Sequence, residues 1–350
     1  MQTRLYLDHA ATTPMLAEAR DAVAEGMARW ANPSSPHAEG RAARAALEAA
    51  RGRIAAAYGW RGETILTSGA SEALAVALQR SVAETRLIGA TEHDSTIRAA
   101  PGAGVLPVGA DGLVALDAAK IAPGTLLAVQ WANSETGVRQ PLAAIADAVH
   151  AAGALLLVDA AQMPAGADDL GFADFVAISA HKRGGPPGIG ALLVRDLATL
   201  TPVGGQERGY RAGTENLPGA LGFAAALEVA EPLRPDLRAR LDDAIRRSGG
   251  DVVAEGSARH PAIGSYRMRG LAAATQLVRF DMAGIAVSAG SACSSGSMKP
   301  SHVLTAMGWD AEATREVIRV SFGRSTTEAD VDRFVAEWRS IARSTRAFAA

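Results

Sequence analysis

The sequence predicts an α/β fold, a mainly parallel sheet with helices on both faces, followed by a smaller α+β domain. Three observations carry this. Short apolar runs, such as Ala154-Leu155-Leu156-Leu157-Val158 and Phe175-Val176-Ala177-Ile178, have the length and branching of buried strands. Helical segments alternate with such runs from about residue 64 to 195, the pattern of βαβ units. Reactive residue types then follow the strand ends: Ser71, His93, Asn133, Asp159, Gln162 and Lys182. In sheets of this kind ligands bind beyond the carboxyl ends of the strands.

Taken in order, Leu5-Tyr6-Leu7 is a short strand leading into Asp8-His9-Ala10-Ala11-Thr12-Thr13-Pro14. Helices are expected over Ala17 to Trp30 and Arg41 to Tyr58. The proline-broken loop Ala31 to His37 between them suits either an active-site rim or an ordinary connector. Glu63 to Thr67 is a strand, followed by the small-residue turn Ser68-Gly69-Ala70-Ser71 and a helix from Ala73 to about Val82. A strand, turn and helix in that order present backbone N–H groups to a phosphate, and Ser71 adds a hydroxyl. Leu87 to Ala90 and Thr125 to Gln130 are further strands, and Ile145 to Ala152 is a helix ended by Gly153. A helix over Leu221 to Leu233 leads to Pro235, where the domain boundary falls. Residues 12–235 form the large domain, and 1–11 with 236–350 the small one.

Composition narrows the function. The 350 residues contain 48% hydrophobic side chains, enough for a sizeable core. Acidic and basic residues nearly balance, 37 against 35, which speaks against a general nucleic-acid binder. A single cysteine, Cys293, excludes an intrachain disulfide and a cysteine-based zinc site. No apolar run reaches the ~20 residues of a membrane span, and the N-terminus has no signal core. A cytoplasmic protein is expected.

Lys182 stands where a strand ends and the Gly/Pro loop Arg183 to Gly190 begins. A lysine loses its charge readily when desolvated and then attacks a carbonyl. Asp159 ends the preceding strand. Pyridoxal phosphate needs that pair, a lysine for the aldehyde and an aspartate to keep the ring nitrogen protonated. His93, at the same sheet edge, can stack on a planar ring and carry protons near neutral pH. Asn133 can donate to a phenolate oxygen. The polar segment Gly204 to Asn216 offers Arg208, Arg211 and Thr214 to a phosphate. Cys293 lies in a run of small residues rather than an apolar one, which suits a reactive thiol. Arg319 sits inside a strand-like run, where a buried arginine requires a carboxylate, a substrate's included.

These segments together resemble the cysteine desulfurases, enzymes of fold type I within the class V aminotransferases that depend on pyridoxal phosphate. The matching segments include Leu7-Asp8, Asn32-Pro33-Ser34-Ser35, Thr67-Ser68-Gly69-Ala70, Glu92-His93, Asp159-Ala160-Ala161-Gln162, Ser179-Ala180-His181-Lys182, Arg211-Ala212-Gly213-Thr214, Ser291-Ala292-Cys293-Ser294 and Ile318-Arg319-Val320-Ser321. They span nearly the whole chain. The resemblance implies a seven-stranded, mainly parallel sheet in the large domain and places the cysteine loop in the small domain. It makes Lys182 the Schiff-base lysine, Asp159 the ring-nitrogen partner and His93 the stacking histidine. Asn133 and Gln162 would meet the phenolic oxygen, with Asn133 also touching substrate. Ala70, Ser71, Ser179 and His181 would cradle the phosphate. Thr214 would reach the phosphate of a second subunit, so a homodimer is implied. Arg319 would clamp the substrate carboxylate, and Cys293 would take the sulfur.

The implied reaction converts L-cysteine to L-alanine and leaves a persulfide on Cys293 for a sulfur acceptor, an iron–sulfur scaffold or a sulfurtransferase serving thiocofactor or tRNA thiolation. No metal, membrane or direct nucleic-acid contact is implied. A selenocysteine lyase, another class V aminotransferase and an inactive binding partner are the alternatives. The last two have no need of Cys293 beside Lys182, Asp159 and His93. The chain departs from the family pattern at Ser71, where threonine is usual, at Ala73 and Leu74, where asparagines are frequent, and at Pro187, where lysine is common. It stops at Ala350, shorter than many relatives, which leaves a scaffold partner open.

Overall fold

The computed structural model describes residues 4–116, 121–290 and 300–349. A seven-stranded sheet organises the first part of the chain. It is built from β2 (Glu63–Thr67), β3 (Thr85–Gly89), β4 (Gly104–Leu106), β5 (Thr125–Gln130), β6 (Leu155–Asp159), β7 (Phe175–Ser179) and β8 (Gly190–Val194). Their order is β2-β8-β7-β6-β5-β3-β4. Every pairing from β7 to β4 is parallel, and β8 alone runs against both its neighbours, β7 and β2. The expected mainly parallel sheet is therefore present, and β8 is reversed because the loop 180–189 after β7 is too short for a crossover helix.

Alternate residues along each strand serve two cores. Leu127, Val129, Leu156, Val158, Val176 and Ile178 pack on one face with Leu47 and Ile54 of α2 (Ala38–Ala57) and Phe223 of α6 (Leu217–Glu228). Leu126, Ala128, Leu157, Phe175, Ala177 and Leu192 pack on the other with Leu74 and Leu78 of α3 (Ala70–Arg80). Helices α1 (Ala17–Ala28), α4 (Asp94–Ala99) and α5 (Leu142–Ala151) complete the layers. Each fully buried leucine or phenylalanine stabilises this arrangement by about 1.5–3 kcal/mol.

The remainder builds a second core around Trp338, Phe334, Phe280 and Tyr266, and Leu5 and Leu7 from the N-terminus belong to it. Its elements are α7 (Pro235–Arg247), β9 (Asp251–Val252), β10 (Ile263–Arg267), α8 (Ala273–Met282), β11 (Ile285–Ala286), β12 (Ser288–Ala289), α9 (His302–Ala306), α10 (Ala311–Thr314), β13 (Val317–Ser321) and α11 (Glu328–Ala349). The sheet β12-β13-β10-β9 is antiparallel, while β1 (Leu5–Tyr6) pairs in parallel with β11.

Helix ends differ from expectation: α2 starts at Ala38 rather than Arg41, with the His37 ring accepting from Gly40 N–H, and α5 starts at Leu142 rather than Ile145. The α3 helix starts at Ala70, not Ala73, because Gly69 adopts φ 149° and turns the chain straight into it. The α6 helix runs from Leu217 to Glu228, not Leu221 to Leu233. The Asn216 side chain accepts from Gly219 N–H as a cap, Pro218 starts the first turn, and Val229 is already extended.

Candidate active site

The carboxyl ends of β2, β5, β6 and β7 open on one cavity of about 610 Å³. Ala70, Ser71, His93, Asp159, Gln162, Ser179, His181, Lys182 and Arg319 all line it. A roomier recess of about 820 Å³ lies at the opposite end of the sheet, around Trp60, Gly62 and Arg195, and holds none of these groups. Chemistry, not size, picks the site.

Lys182 is held by its backbone. Thr13 N–H donates to the His181 carbonyl at 2.9 Å, and Thr13 Oγ1 donates to the Lys182 carbonyl at 3.1 Å. The turn is closed from the other side by Arg183 and Gly185 N–H on the Ala180 carbonyl. His181 Nδ1 meets Thr12 Oγ1 at 3.1 Å. Burial, then the charges of Lys182 and Arg183, lower the His181 pKa to about 4. The ring is therefore neutral near pH 7 in a cationic corner.

The turn into α3 has no side-chain cap, so the N–H groups of its first turn have no partner within the helix. Gly190 of β8 lies directly beneath. A Cβ there would come within 2.6 Å of Gly69 Cα and 2.5 Å of the Ile178 carbonyl oxygen. Only glycine lets the turn settle on the sheet. Glu72, also on the cavity wall, accepts from Ser68 N–H and from Arg211 Nε, the latter at 2.9 Å.

His93 caps α4 through its ring. Nδ1 accepts from Ser95 N–H at 3.1 Å and faces Ser95 Oγ at 2.7 Å. That places the proton of the neutral ring on Nε2. Burial, then the charge of Lys182, lower the His93 pKa from its ordinary value. Asp159 is buried at the end of β6, where its Oδ1 accepts from Ala161 N–H at 2.9 Å. Behind it stands Glu92, fully buried, with Oε1 accepting from Gln130 N–H at 2.9 Å. Burial, reinforced by Asp159, pushes the Glu92 pKa well above the ordinary range, which favours its neutral form. Gln162 donates from Nε2 to the Ala10 carbonyl at 3.0 Å, and its buried Oε1 has no partner.

Other candidates lie apart from the cavity. Asn133 does not line it. Its Oδ1 accepts from Glu135 N–H and Thr136 N–H, and its Nδ2 donates to the Thr91 carbonyl and Gln130 Oε1. The next residue, Ser134, does line the cavity. Thr214 is exposed and outside this chain's own cavity lining, while its neighbour Glu215 is buried 3.0 Å from Arg44. Cys293 lies outside the described residues. Sequence reasoning did not assign roles to Asp8, Glu72, Glu92 or Ser134. Each acts through a partner distant in the chain, and no local pattern marks such a residue. Among the described residues no group of three His, Cys, Asp or Glu side chains is disposed to hold a metal. No helix among them is long and apolar enough to cross a membrane.

A family model described as aminotransferase class-V matches residues 5–334. An IscS-like cysteine desulfurase of Mycobacterium tuberculosis is 37% identical, covering 93% of each chain. Among solved structures, a NifS-like protein of Rickettsia africae superposes with a TM-score of 0.85 at 29% identity, covering 97% of this chain and 99% of that one. SspA, solved in complex with cysteine, gives 0.79 at 29% identity, covering 93% and 100%. The chain belongs to the class-V aminotransferases, and its relatives place it among the cysteine desulfurases, enzymes that depend on pyridoxal phosphate.

The residues present fit that cofactor. The uncapped first turn of α3, Ser71, Ser179 and His181 form a donor-rich corner for a phosphate. The buried, unpartnered Gln162 Oε1 is an available polar contact in the same cavity. Asp159, His93 and Lys182 supply the three groups that a pyridinium ring with an aldehyde requires.

Proposed function

We propose that this chain releases sulfur from L-cysteine as a cytoplasmic homodimer, with Cys293 as the first sulfur acceptor. The observation that supports it best is the convergence of Asp159, His93, Lys182 and Arg319 on one cavity. Bound pyridoxal phosphate supplies an electron sink for the substrate's Cα–H bond and then for its Cβ–S bond.

The protein's own groups do the rest. Asp159 would hold the ring nitrogen protonated, His93 would cover the ring face with a neutral imidazole, and Gln162 would meet the phenolic edge; Asn133, whose amide is held within its own turn, would act only by shaping the segment that brings Ser134 to the cavity. Lys182 would hold the cofactor through its aldehyde and would be the group that carries the proton taken from the substrate Cα. Arg319 holds the substrate carboxylate. Cys293 thiolate attacks the substrate sulfur. The Cβ–S electron pair leaves with carbon, which is protonated to give L-alanine, and a persulfide remains on Cys293. That persulfide passes to an acceptor, an iron–sulfur scaffold or a sulfurtransferase. Thr214, exposed on its loop, completes the phosphate site of the second subunit.

Sulfide release from L-cysteine with a thiol reductant, run beside Cys293→Ser, tests this. Sulfide from the parent alone supports Cys293 as the sulfur carrier. Equal release from both would make the enzyme a lyase that needs no thiol. No release from either, with cofactor bound, would sink the desulfurase reading in favour of an aminotransferase.

A further inference from the structure

The arginine at the cavity is already engaged by a carboxylate of the same chain. Arg319 Nη2 donates to Asp8 Oδ1 at 2.7 Å, and Nη1 donates to the Ser134 carbonyl at 3.0 Å. Both Asp8 and Arg319 line the cavity. Arg319 is 6% exposed, and its Nε is buried without a partner. A guanidinium held on two sides in this way has a fixed orientation and retains N–H donors for one more acceptor.

Backbone pairing builds this contact. Asp8 bridges in parallel to Ser321, two residues beyond Arg319 on the same strand. Ser321 N–H donates to the Leu7 carbonyl at 2.8 Å, and Ala10 N–H donates to Ser321 Oγ at 2.9 Å. The Tyr6 hydroxyl adds contacts to the carbonyls of Asp8 and Thr12. The N-terminal segment is thus joined to β13 without any help from the Asp8 carboxylate. The ion pair is therefore not needed to seat that segment, and it offsets the guanidinium charge of Arg319, the group read here as attracting a substrate carboxylate.

We propose that Asp8 is a positioning residue for the carboxylate clamp: it fixes the orientation of Arg319 and moderates its attraction for the α-carboxylate of substrate and product. This rests on the reading of Arg319 as that clamp. A carboxylate entering the cavity meets a cation whose charge is already partly neutralised. The product L-alanine is then held loosely enough to leave.

The test is the affinity of the cofactor-loaded protein for L-alanine, read from the visible absorption of the bound cofactor. Asp8→Asn keeps the shape and removes the charge. It tightens L-alanine binding by roughly three- to tenfold, the scale of one partly screened charge contact, and the gain shrinks at high salt. Asp8→Glu returns binding toward the parent. Should Asp8→Asn not retain cofactor, Asp8→Ser removes the same charge. Unchanged or weaker L-alanine binding in the charge-removed variant, with Arg319→Gln still losing tenfold or more, overturns the role of Asp8. Unchanged binding in both variants means that Arg319 is not the clamp, and the inference falls with that reading.

Discussion

Replacing Glu207 with alanine should weaken the large sheet. Glu207 lies in a surface loop, yet it is 4% exposed and joins three elements. Its carboxylate takes both terminal nitrogens of Arg51 from α2, Nη2 at 3.1 Å, and accepts Leu66 N–H from β2 at 2.8 Å. Removing it leaves the buried Arg51 with Glu48, which is half exposed, and with the Thr64 carbonyl. Loss of one partner from a buried pair costs about 3–5 kcal/mol. The remaining contacts of Arg51 argue for the lower end, about 3 kcal/mol. For a domain of this size that is roughly 6 °C in Tm. Calorimetry of the cofactor-loaded protein is the assay, with Glu207→Gln as the milder companion that retains an acceptor for Leu66. A shift below about 2 °C would refute the claim that this carboxylate anchors the loop. The backbone makes the anchor necessary. Glu207 and Arg208 both sit at positive φ, 50° and 57°, each costing of order 1 kcal/mol. The same loop carries Thr214, so the variant is also expected to hold pyridoxal phosphate less tightly.

Two further outcomes follow from the geometry. Gly190→Ala drives a Cβ into Gly69 and the Ile178 carbonyl; we expect a loss of about 1–3 kcal/mol and weaker cofactor retention on dialysis, and a variant of parental stability and retention would show that the turn is not seated on β8. His260 is buried, and burial, then the charges of Arg183 and Arg238, lower its pKa to about 3. Its folded value is below its unfolded value, so its contribution is complete above about pH 6.5 and is lost as pH falls toward 3, at up to about 1.4 kcal/mol per unit. Urea unfolding at pH 7 and pH 5 should therefore show a smaller pH effect in His260→Gln than in the parent by roughly 2 kcal/mol, and parallel losses would count against a buried neutral imidazole.

Strand positions and the sheet edge that bears the chemistry were legible because they follow from local pattern. Runs of at least four apolar residues mark β5, β6 and β7, and the reactive residues after them needed only the rule that ligands gather at carboxyl ends. What could not be read locally was which partner each polar side chain finds. Asn133 follows β5 as expected, but three N–H and O–H donors of its own turn converge on its Oδ1, and it is Ser134 that lines the cavity. Arg319 was expected to need a carboxylate; that carboxylate is Asp8, 311 residues earlier. Glu207 lies in a polar, glycine-rich segment, and no run of sequence shows that Arg51 waits behind it.

These distant pairings explain how a cavity with several cations stays foldable before any anion enters. Lys182 and Arg319 line one small space, and Arg211 borders it through Glu72. Left alone, such charges repel and are costly to desolvate. Asp8 faces Arg319 and Glu72 faces Arg211, while His181 and His93 are kept neutral by burial and by the neighbouring Lys182. A phosphate bound at this corner would meet donors that are oriented but only partly neutralised, and it would favour protonation of His181, opposing the direction of that pKa shift. Cofactor binding is therefore expected to be linked to proton uptake at this corner. Apoprotein titrated with pyridoxal phosphate in two buffers of different ionisation enthalpy near pH 6 should take up protons, and His181→Gln should reduce that uptake. Uptake identical in the variant would place the proton elsewhere, with Lys182 the next candidate.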